Sequence, residues 1–591
     1  MNKKDLPLFV MLIALVFLWP TIDRALIKPL FPTPPAPPAV EAPQMPDPAA
    51  PAPETPAMVA APETPAVSPA APAAEEDPAQ SGPGEELVIP TDAADWTFQT
   101  HGAALSRVRL KGYRATQEKD SPDVVLEFGD APALAWSGLP GLGAGHPFTV
   151  EKSDDGRTLR FVRRAVSGLE LVRVIEIRDA HQLHIRDEFR AGGGAGVELP
   201  SAELVTGTMR TMPGESQVRG IHYLGIDTLP PGGEKVRYWG KEFPGMFKNA
   251  PPSASGRPPA DLDTEIASAP VEWVAAKNKY FVQIVMPLTS PAQAVRAAVA
   301  RRVDPREASD PTFRKAPTDA GAVTARLRFD GAHLAAQGEP VVREFDYYAG
   351  PKKFDILKTL THRRQDVMEF GFFGGVSKIL LQTLNLLYRV IPNYGVAIIL
   401  LTILVRILFW PITHKSTESM KRMAEIQPLI QEMRAKYKDP QRQQKEMMAL
   451  YKQYKINPLG GCLPILVQIP VFIALFVMLR SAIELRFAPF LWVRDLSEPE
   501  NLLAGMIPLV GSLNILPLLM TATQVWQQKM TPSAGDPAQQ KMMLWMPIIM
   551  LVFFYHFASG LVLYWTTNQV LMIIQLSLQK YRRTHPTARA A

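Results

Sequence analysis

The chain has 591 residues, of which 47% are hydrophobic and 20% charged, and its formal net charge is +6. This length exceeds what one ordinary core needs and predicts two or more domains. The single cysteine, Cys462, excludes an intrachain disulfide framework and a cysteine-based zinc site, because both need several cysteines. Whether the positive charge indicates nucleic acid depends on where the basic residues lie.

The first 84 residues predict a membrane anchor followed by an extended tether. Residues 1–24 place Lys3 and Lys4 before the apolar run from Leu6 to Trp19. A cleaved signal peptide is the alternative, but no small-x-small cleavage site follows the run directly. Residues 25–84 are the predicted tether, because residues 32–84 hold 17 Pro and seven acidic residues but no Lys, Arg or aromatic residue.

Residues 85–350 predict a large antiparallel β-sandwich. Short alternating segments, such as Leu159 to Val162, Leu169 to Ile177 and Leu183 to Phe189, are separated by Gly and Pro clusters. The glycine run from Gly192 to Gly196 is interpreted as a hairpin turn. A phosphate-binding loop is disfavoured because no helix start and no Lys-Ser/Thr pair follow it.

After Tyr348 the pattern becomes helical. Residues 365–392 predict an amphipathic helix at a membrane surface, and an ordinary core helix is the open alternative. Its apolar stripe comprises Phe373, Val376, Leu380, Leu384 and Leu387. Five apolar runs follow, at Tyr394–Ile412, Leu463–Leu479, Leu502–Val525, Met542–Phe557 and Gly560–Leu578. With the anchor they predict six membrane spans, the second at 393–413 and the third to sixth within 462–581.

The distribution of charge predicts the orientation of these spans. The segment Thr413 to Gly461 carries ten Lys and Arg against five acids, whereas the loop Arg480 to Asn501 carries three Arg against four acids. By the positive-inside rule the first segment is cytoplasmic. Both termini, including the basic tail 582–591, are then cytoplasmic and the β domain is periplasmic, in a bacterial inner membrane. The orientation in the membrane therefore explains the excess of Lys and Arg, and a nucleic acid partner is not needed to explain it.

Residues 414–461 predict a cytoplasmic helical hairpin with a seam rich in methionine. The apolar positions are Met423, Ile426, Ile430, Met433 and Tyr437 in the first helix, and Met447, Leu450 and Tyr454 in the second. Pro440 is suited to the first turn of the second helix. A solvated spacer is the alternative to a docking arm.

The most informative residue of the apolar runs is Arg406. An arginine within a membrane span is costly and needs water, a partner or a route to the headgroups. Snorkelling to the inner headgroups is the alternative. Thr402, Gln468, Asn568 and Gln569 lie at similar depths in their runs and could line a wet cavity with it. Each polar residue could instead be a hydrogen bonder between packed helices.

Several ordered motifs resemble the YidC membrane protein insertases, which are relatives of the mitochondrial Oxa and chloroplast Albino proteins. The motifs are Met447–Lys452, Asn457–Pro464, Gln468–Pro470, Asp536–Lys541 and Ser559–Tyr564, and the resemblance covers about Tyr394 to Tyr581. It implies an α-helical polytopic membrane protein with a five-helix insertase core. The anchor, tether and β domain resemble the Gram-negative arrangement, in which this domain is a β supersandwich related to mutarotase-like folds.

The resemblance also implies a substrate groove. Arg406 matches the groove arginine and Thr402 its neighbour one turn earlier, while Gln468 and Pro470 match positions of the third span. The positions near the substrate slide are aromatic, at Phe553, Tyr564 and Trp565. Trp565 stands where many relatives have Tyr, and Ala558 where a Pro often precedes Ser-Gly.

The function implied by the resemblance is insertion and folding of nascent inner membrane proteins through a hydrophilic groove, with no chemical reaction, cofactor or metal. The implied partners are nascent chains, the Sec translocon, ribosomes, the signal recognition particle with its receptor, and membrane lipids. A periplasmic carbohydrate-binding or epimerase-like enzyme using His181, His184 and His222 is the alternative. An intramembrane protease and a solute transporter are disfavoured, because their motifs and repeats are not found.

Overall fold

A computed structural model describes residues 84–584, except residues 130, 214, 216–221, 234, 253–256, 305–306, 308–316, 438, 455–462, 508–510 and 531–536. The predicted anchor at 1–24, nearly all of the tether and the end of the basic tail lie outside the described residues. So do most of the Asn457–Pro464 motif and Asp536.

The described chain divides into a β domain followed by a helical region, as predicted. The strands of the β domain are β1 Glu86–Pro90, β2 Ala94–Gln99, β3 Ala104–Arg114, β4 Asp123–Glu127, β5 Trp136–Ser137, β6 Thr149–Lys152, β7 Thr158–Arg164, β8 Leu169–Asp179, β9 Gln182–Ala191, β10 Val197–Leu199, β11 Ala202–Val205, β12 Met209–Arg210, β13 Gly225–Leu229, β14 Arg237–Tyr238, β15 Asp261–Ala267, β16 Trp273–Lys277, β17 Phe281–Pro287, β18 Ala294–Arg301, β19 Ala320–Phe329, β20 Ala332–Leu334 and β21 Val341–Pro351. Two short helices accompany them, α1 Phe243–Asn249 and α2 Phe354–Leu357, with a 3₁₀ turn at Arg364–Met368.

The β domain is an antiparallel sandwich built from large sheets. A nine-stranded sheet has the order β14-β13-β16-β17-β21-β9-β8-β7-β6. A six-stranded sheet is formed by β15-β18-β19-β11-β5 with β12 on β19, and a four-stranded sheet by β1 to β4. Along β9 the buried positions alternate, at Leu183, Ile185, Asp187 and Phe189, because successive side chains point to opposite faces of a sheet. This alternation is the pattern that predicted the sandwich.

The interpretation of Gly192–Gly196 as a hairpin turn is wrong. The strand before this run, β9, pairs with β8 and β21, whereas the strand after it, β10, pairs with β20 in a different sheet. The glycine run is therefore a crossover between sheets, and a local turn signal does not say which partner the next strand takes.

The core of the sandwich encloses one fully buried ion pair. Arg173 on β8 donates to both carboxylate oxygens of Asp187, at 2.7 and 2.6 Å, and neither side chain has exposed surface. Trp136 Nε1 donates to the same carboxylate at 2.7 Å, and Arg173 Nη1 donates to the carbonyl oxygen of Ala103 at 2.9 Å. The pair therefore ties β8, β9, β5 and the start of β3 together inside the apolar core.

The helices of the second region are α3 Gly374–Val390, α4 Tyr394–Leu408, α5 Trp410–Glu425, α6 Gln427–Lys436, α7 Pro440–Gln453, α8 Leu463–Leu479, α9 Ile515–Met530, α10 Pro537–Phe554 and α11 Ser559–Thr584. A 3₁₀ turn at Ile483–Leu485 and the hairpin of β22 Leu502–Ile507 and β23 Gly511–Leu513 lie between α8 and α9. Among the described residues only α11 is long and apolar enough to cross a membrane, at Ser559–Tyr581 by length and composition. Shorter apolar helices are Tyr394–Leu408, Gln468–Leu479 and Trp545–Phe554.

The predicted apolar run Leu502–Val525 is not one helix. Its first part forms the β22–β23 hairpin, and α9 begins only at Ile515. The Glu500 carboxylate fixes this start, because it accepts hydrogen bonds from the backbone N–H groups of Ile515 and Leu516 at 2.9 and 2.5 Å. Hydropathy alone does not reveal this boundary, since both parts of the run are apolar.

Helix α3 packs its predicted stripe inward. Phe373, Leu380 and Leu384 are buried in the cluster shared with α4 and α8, and Ser377 Oγ donates to the carbonyl oxygen of Ala474 at 3.1 Å. Its opposite side exposes apolar side chains, including Leu386 at 59% and Val390 at 75%. The helix thus combines a core-facing stripe with an apolar outer side.

The segment Gln427–Gln453 forms the hairpin of α6 and α7. Ile426 and Ile430 are buried, with Met423, Met433, Met447, Leu450 and Tyr451 packed against them. Tyr454, predicted for the seam, is 44% exposed, and Tyr451 takes that place. Asp439 caps α7 by accepting from the N–H groups of Gln441 and Arg442, and Pro440 occupies the first turn.

A single residue, Phe409, separates α4 from α5. Its N–H donates to the carbonyl oxygen of Val405 at 3.1 Å, and its own carbonyl accepts from the N–H of Thr413 at 3.0 Å. These two bonds bridge the junction, so α4 and α5 follow each other without a loop. Pro411 has no N–H, however, and leaves one helical hydrogen bond unmade in the first turn of α5.

The buried ion pair gives a test of the β domain. Asp187→Asn leaves the Arg173 guanidinium without a counter-charge in the core, so the free energy of unfolding should fall by about 3–5 kcal/mol. Circular dichroism during denaturant unfolding of the full chain measures the change. The matched control is Asp263→Asn, which removes an exposed carboxylate paired with Arg296 and should cost less than about 1 kcal/mol. Equal losses in the two variants would contradict the role given to the buried pair.

Candidate functional site

Arg406 directs its guanidinium towards α11. Nη1 donates to Asn568 Oδ1 at 3.2 Å, and Nη2 donates to Gln575 Oε1 at 2.9 Å. Residues 568 and 575 are two helical turns apart on one face of α11, so a single planar fork reaches both amides. The guanidinium therefore joins two helices.

The charge of Arg406 is hydrogen-bonded but not neutralised. In the part of the chain that the structure describes, no carboxylate forms an ion pair with it, and its Nε is buried without a hydrogen-bond acceptor. Amide oxygens satisfy donors without cancelling a positive charge. The site therefore keeps an uncompensated cation inside an apolar helical region.

The other predicted groove residues of α4 and α8 have separate partners. Thr402 is buried, and its hydroxyl donates to the carbonyl oxygen of Ile398 in its own helix at 2.7 Å. The Gln468 amide donates to the hydroxyl of Tyr564, which joins α8 to α11. Pro470 is buried inside α8, two residues after Gln468.

The three predicted aromatic residues do not form one surface. Phe553 is 57% exposed on α10, whereas Tyr564 is 1% exposed. Trp565 packs edge-on against Phe472, with ring centroids 5.0 Å apart, and lies 5.4 Å from the ring of Phe554. Of the three, Phe553 is exposed, Trp565 is partly buried and Tyr564 is buried.

Gln569 joins α11 to α9. Its amide lies 2.6 Å from Thr523 Oγ1, and the orientation that satisfies both of its ends also accepts from Trp565 Nε1 at 2.8 Å. Asn568, one residue earlier, points to α4 instead. Adjacent positions of α11 thus face different neighbours, as the helical period requires.

The predicted polar residues therefore do not form one cluster, and those that bond to another helix meet at α11. Contacts from α4, α8 and α9 all end on α11, through Arg406, Gln468 and Thr523. The partners Gln575 and Thr523 were missed from the sequence. Gln575 had a signal, since it follows Asn568 by seven residues and so falls on the same face of a helix.

The histidines of the enzymatic alternative do not converge. His181 is buried against Tyr348, with ring centroids 6.0 Å apart, and burial lowers its pKa to about 4. His184 Nδ1 lies 3.2 Å from Asp346 Oδ1, and His222 Nδ1 lies 3.7 Å from Asp319 Oδ1. Within the described residues, no group of three His, Cys, Asp or Glu side chains could hold a metal ion.

Comparisons with known proteins cover both regions of the chain. The family described as 60Kd inner membrane protein matches residues 386–585, and the family described as YidC periplasmic domain matches residues 86–383. A Membrane protein insertase YidC from Geobacter metallireducens is 33% identical over 517 residues, which are 85% of this chain and 87% of that protein. The chain belongs to the YidC family of membrane protein insertases.

Two further YidC relatives are more similar over shorter stretches. The protein from Syntrophobacter fumaroxidans is 42% identical over 313 residues, 52% of this chain and 54% of that relative. The protein from Pelobacter propionicus is 50% identical over 240 residues, 40% of this chain and 44% of that relative. The chain thus spans about half the length of these two relatives. A crystal structure described as an active YidC insertase with its first transmembrane domain resolved has a TM-score of 0.34 and 18% identity, over 86% of this chain and 95% of that one.

At the two departures from the YidC pattern, the chain provides its own contacts. Ala558 is 9% exposed and precedes the first turn of α11, where Ser559 N donates to the carbonyl oxygen of Glu498 at 2.9 Å and Gly560 N to that of Leu496 at 2.8 Å. These carbonyls satisfy N–H groups that a helix start leaves unpaired. Trp565 is partly buried and contacts the rings of Phe472 on α8 and Phe554 on α10.

The contact of Arg406 with α11 gives a second test. Gln575→Leu removes one acceptor of a charged donor and should lower the free energy of unfolding in detergent by about 1.5–3 kcal/mol. In an Arg406→Leu background the same change should cost almost nothing, because the donor is gone, and this double-mutant cycle isolates the pair. Thr567→Val, on the same helix but without a contact to Arg406, is the control. Additive losses would show that the two side chains do not interact.

Proposed function

We propose that this chain inserts nascent proteins into a bacterial inner membrane through the helical region around α11. The main observation behind this proposal is Arg406, a cation without a counter-charge that is held by neutral amides of α11. The helices around it expose apolar side chains. Exposed apolar residues on these helices include Leu404, Ile407, Ile549, Val552 and Phe553, each at least 48% exposed. Such a surface is stable in lipid rather than in water.

The proposed topology keeps the six spans predicted from the sequence. The anchor at 1–24 is the first, α4 the second, and α8, α9, α10 and α11 are the third to sixth. The basic hairpin α6–α7 and both termini are cytoplasmic, and the β domain is periplasmic. The exposed apolar side of α3 supports a position at the periplasmic surface of the inner membrane.

The proposed mechanism lowers a kinetic barrier and breaks no covalent bond. A hydrophilic segment of the nascent chain enters from the cytoplasmic side near Arg406, whose unpaired charge attracts acidic residues. The following apolar segment leaves beside α8 and α10 into lipid, and its partition supplies the driving force. The membrane potential favours outward movement of acidic segments by about 2.3 kcal/mol per charge per 100 mV.

Reversal of the charge at Arg406 tests this mechanism. Arg406→Glu should reduce insertion of a substrate with an acidic translocated tail at least about tenfold more than insertion of the same substrate with a neutral tail. The readout is protease protection of the tail in proteoliposomes. Arg389→Glu, at the exposed end of α3, is the matched charge reversal. Equal insertion of both tails by Arg406→Glu would remove the electrostatic role.

Photo-crosslinking tests the proposed path. Thr402 and Tyr564 are buried, so they are unsuitable for a probe. The probe is placed instead at Gln468, which is partly exposed, and at Phe553, which is exposed. During synthesis of a small membrane protein, both positions should label the nascent chain. A probe at Leu386, exposed on α3, is the lipid-facing control. Labelling confined to lipid at all three positions would exclude the path beside α8 and α10.

The hairpin α6–α7 is the proposed docking arm for cytoplasmic partners. Its methionine seam is used internally to join the two helices, so partners meet its charged faces, where Lys445 and Lys452 are exposed. The ribosome and the signal recognition particle with its receptor are the proposed partners on this side. The Sec translocon is a proposed partner within the membrane.

A further inference from the structure

A tight turn at residues 490–493 presents two apolar side chains to the outside of the molecule. Phe490 and Val493 exchange both backbone hydrogen bonds, at 2.8 and 2.9 Å, so Leu491 and Trp492 form the tip of the turn. Leu491 is 76% exposed, more than any other large apolar side chain of the described residues, and Trp492 is 40% exposed. Neither side chain belongs to the predicted groove or to the buried apolar clusters described above.

The backbone of the tip is strained. Leu491 has a φ of 53°, in the left-handed region that Gly, Asn and Asp adopt more readily than leucine does. A strained leucine can persist when its side chain packs inside the fold, but this side chain is exposed. An outward leucine that the backbone holds under strain therefore indicates a contact with something outside the chain.

The base of the turn lies against the first turn of α4. The ring of Phe490 packs onto Gly395, where a Cβ atom would overlap that ring. Glycine permits this close approach because it has no side chain. Val493, on the other side of the base, is buried in the apolar cluster of the helical region. The turn is thus fixed at the N-terminal end of α4, which is the periplasmic end of the second span in the proposed topology.

The tip is also tied to the start of α9. Trp492 Nε1 donates to Glu500 Oε2 at 3.1 Å, and the same carboxylate accepts from the N–H groups of Ile515 and Leu516. The one polar atom of the Trp492 side chain is therefore satisfied inside the protein, and the ring exposes apolar carbon. The tip consequently lies near the first turns of two helices, and both of these turns are periplasmic in the proposed topology.

The elements next to the tip also expose apolar side chains. Val390 and Ile391, just before α4, are 75% and 39% exposed. Ile515 and Leu518 in the first turn of α9 are 37% and 42% exposed. Single exposed apolar residues are common on surfaces in water, but an apolar margin at the ends of apolar helices is typical of contact with lipid.

We propose that Leu491 and Trp492 insert into the periplasmic leaflet of the inner membrane, so that the turn at residues 490–493 is a lipid anchor. This inference rests on the membrane placement proposed above. Tryptophan favours the boundary between headgroups and hydrocarbon, and leucine gains free energy by leaving water, which offsets the strain of its backbone. Because Glu498 and Glu500 belong to the same loop, the anchor fixes the depth of the first turns of α11 and α9 in the bilayer.

A fluorophore attached to single cysteines tests the anchor. Cys462 is the chain's only cysteine, so Cys462→Ser provides a background for Leu491→Cys. The labelled full chain is reconstituted into vesicles of phosphatidylethanolamine and phosphatidylglycerol without nascent chains. Lipids that carry a quencher on the acyl chain should quench the label at residue 491. Quenching by iodide should be at least about tenfold weaker there than at Val166→Cys, because an anion is excluded from hydrocarbon.

Two positions of similar exposure calibrate the assay. Val166 is 64% exposed in the β7–β8 turn, at the end of the nine-stranded sheet opposite the β16–β17 turn that contacts the helical region. Val552, 73% exposed on α10, is the lipid reference. Iodide quenching at residue 491 equal to that at Val166→Cys would overturn the proposal. Protection of residue 491 from both quenchers would indicate a protein contact and would also overturn it.

A variant separates the lipid contact from an internal role of the leucine. Leu491→Asn introduces a polar residue that tolerates the left-handed region. The free energy of unfolding in detergent should therefore not fall. Iodide quenching of a label at Trp492→Cys should rise about tenfold relative to the same label beside Leu491. A loss of stability with unchanged quenching would assign Leu491 to packing and refute the anchor.

The outcomes also distinguish this proposal from the proposed function. Lipid contact at residue 491 in a chain that fails to insert substrates in the protease-protection assay would refute the proposed function alone. Normal insertion with residue 491 in water would refute the anchor alone. Strong iodide quenching at Val552→Cys would refute the membrane placement and, with it, the anchor.

Discussion

The helical region depends on the polar face of a single helix, α11. In an apolar surrounding no water is at hand to satisfy buried polar groups, so each needs a partner within the protein. Arg406, Gln468 and Thr523 come from three different helices, and each finds its partner on α11. The same helix packs against α4, α9 and α8 through apolar side chains such as Leu561 and Val562. Its placement therefore fixes the other helices and, with them, the position of the cation.

The N-terminal end of α11 is in turn held by the β domain. Glu498 accepts from Lys279 and from the Tyr280 hydroxyl, the latter at 3.0 Å, while its backbone carbonyl accepts from Ser559 Oγ at 2.7 Å. Glu498 thus bonds both to the turn between β16 and β17 and to the first turn of α11. A second loop residue, Glu500, starts α9. The loop after α8 is consequently a connector between the sandwich and two helices that meet at Gln569.

The sequence predicted the elements that have a local periodic pattern. It could not predict contacts between residues that are distant in the chain. Alternation revealed β7, β8 and β9, and three-and-four spacing revealed α3 and the seam of the α6–α7 hairpin, because these patterns are local. The partner of β10, the break of the apolar run before Ile515 and the acceptors of Arg406 depend on residues far away in the chain. Family resemblance located Arg406 and Tyr564 but not their orientation. The burial of Thr402 and Tyr564 became visible only in the structure.

The junction at Phe409 has a mechanical consequence. Phe409 is hydrogen-bonded back to Val405 and forward to Thr413, but Pro411 has no N–H, so the helical ladder lacks one bond in the first turn of α5 and a tilt of α5 can be absorbed there. Arg406 lies less than one turn before this junction. A movement of the hairpin therefore changes the angle between α5 and α4 directly after the residue that carries the guanidinium. The bonds from Arg406 to Asn568 and Gln575 can then keep their geometry while α5 changes its angle. The junction thereby separates the position of the charge from movements of the α6–α7 hairpin.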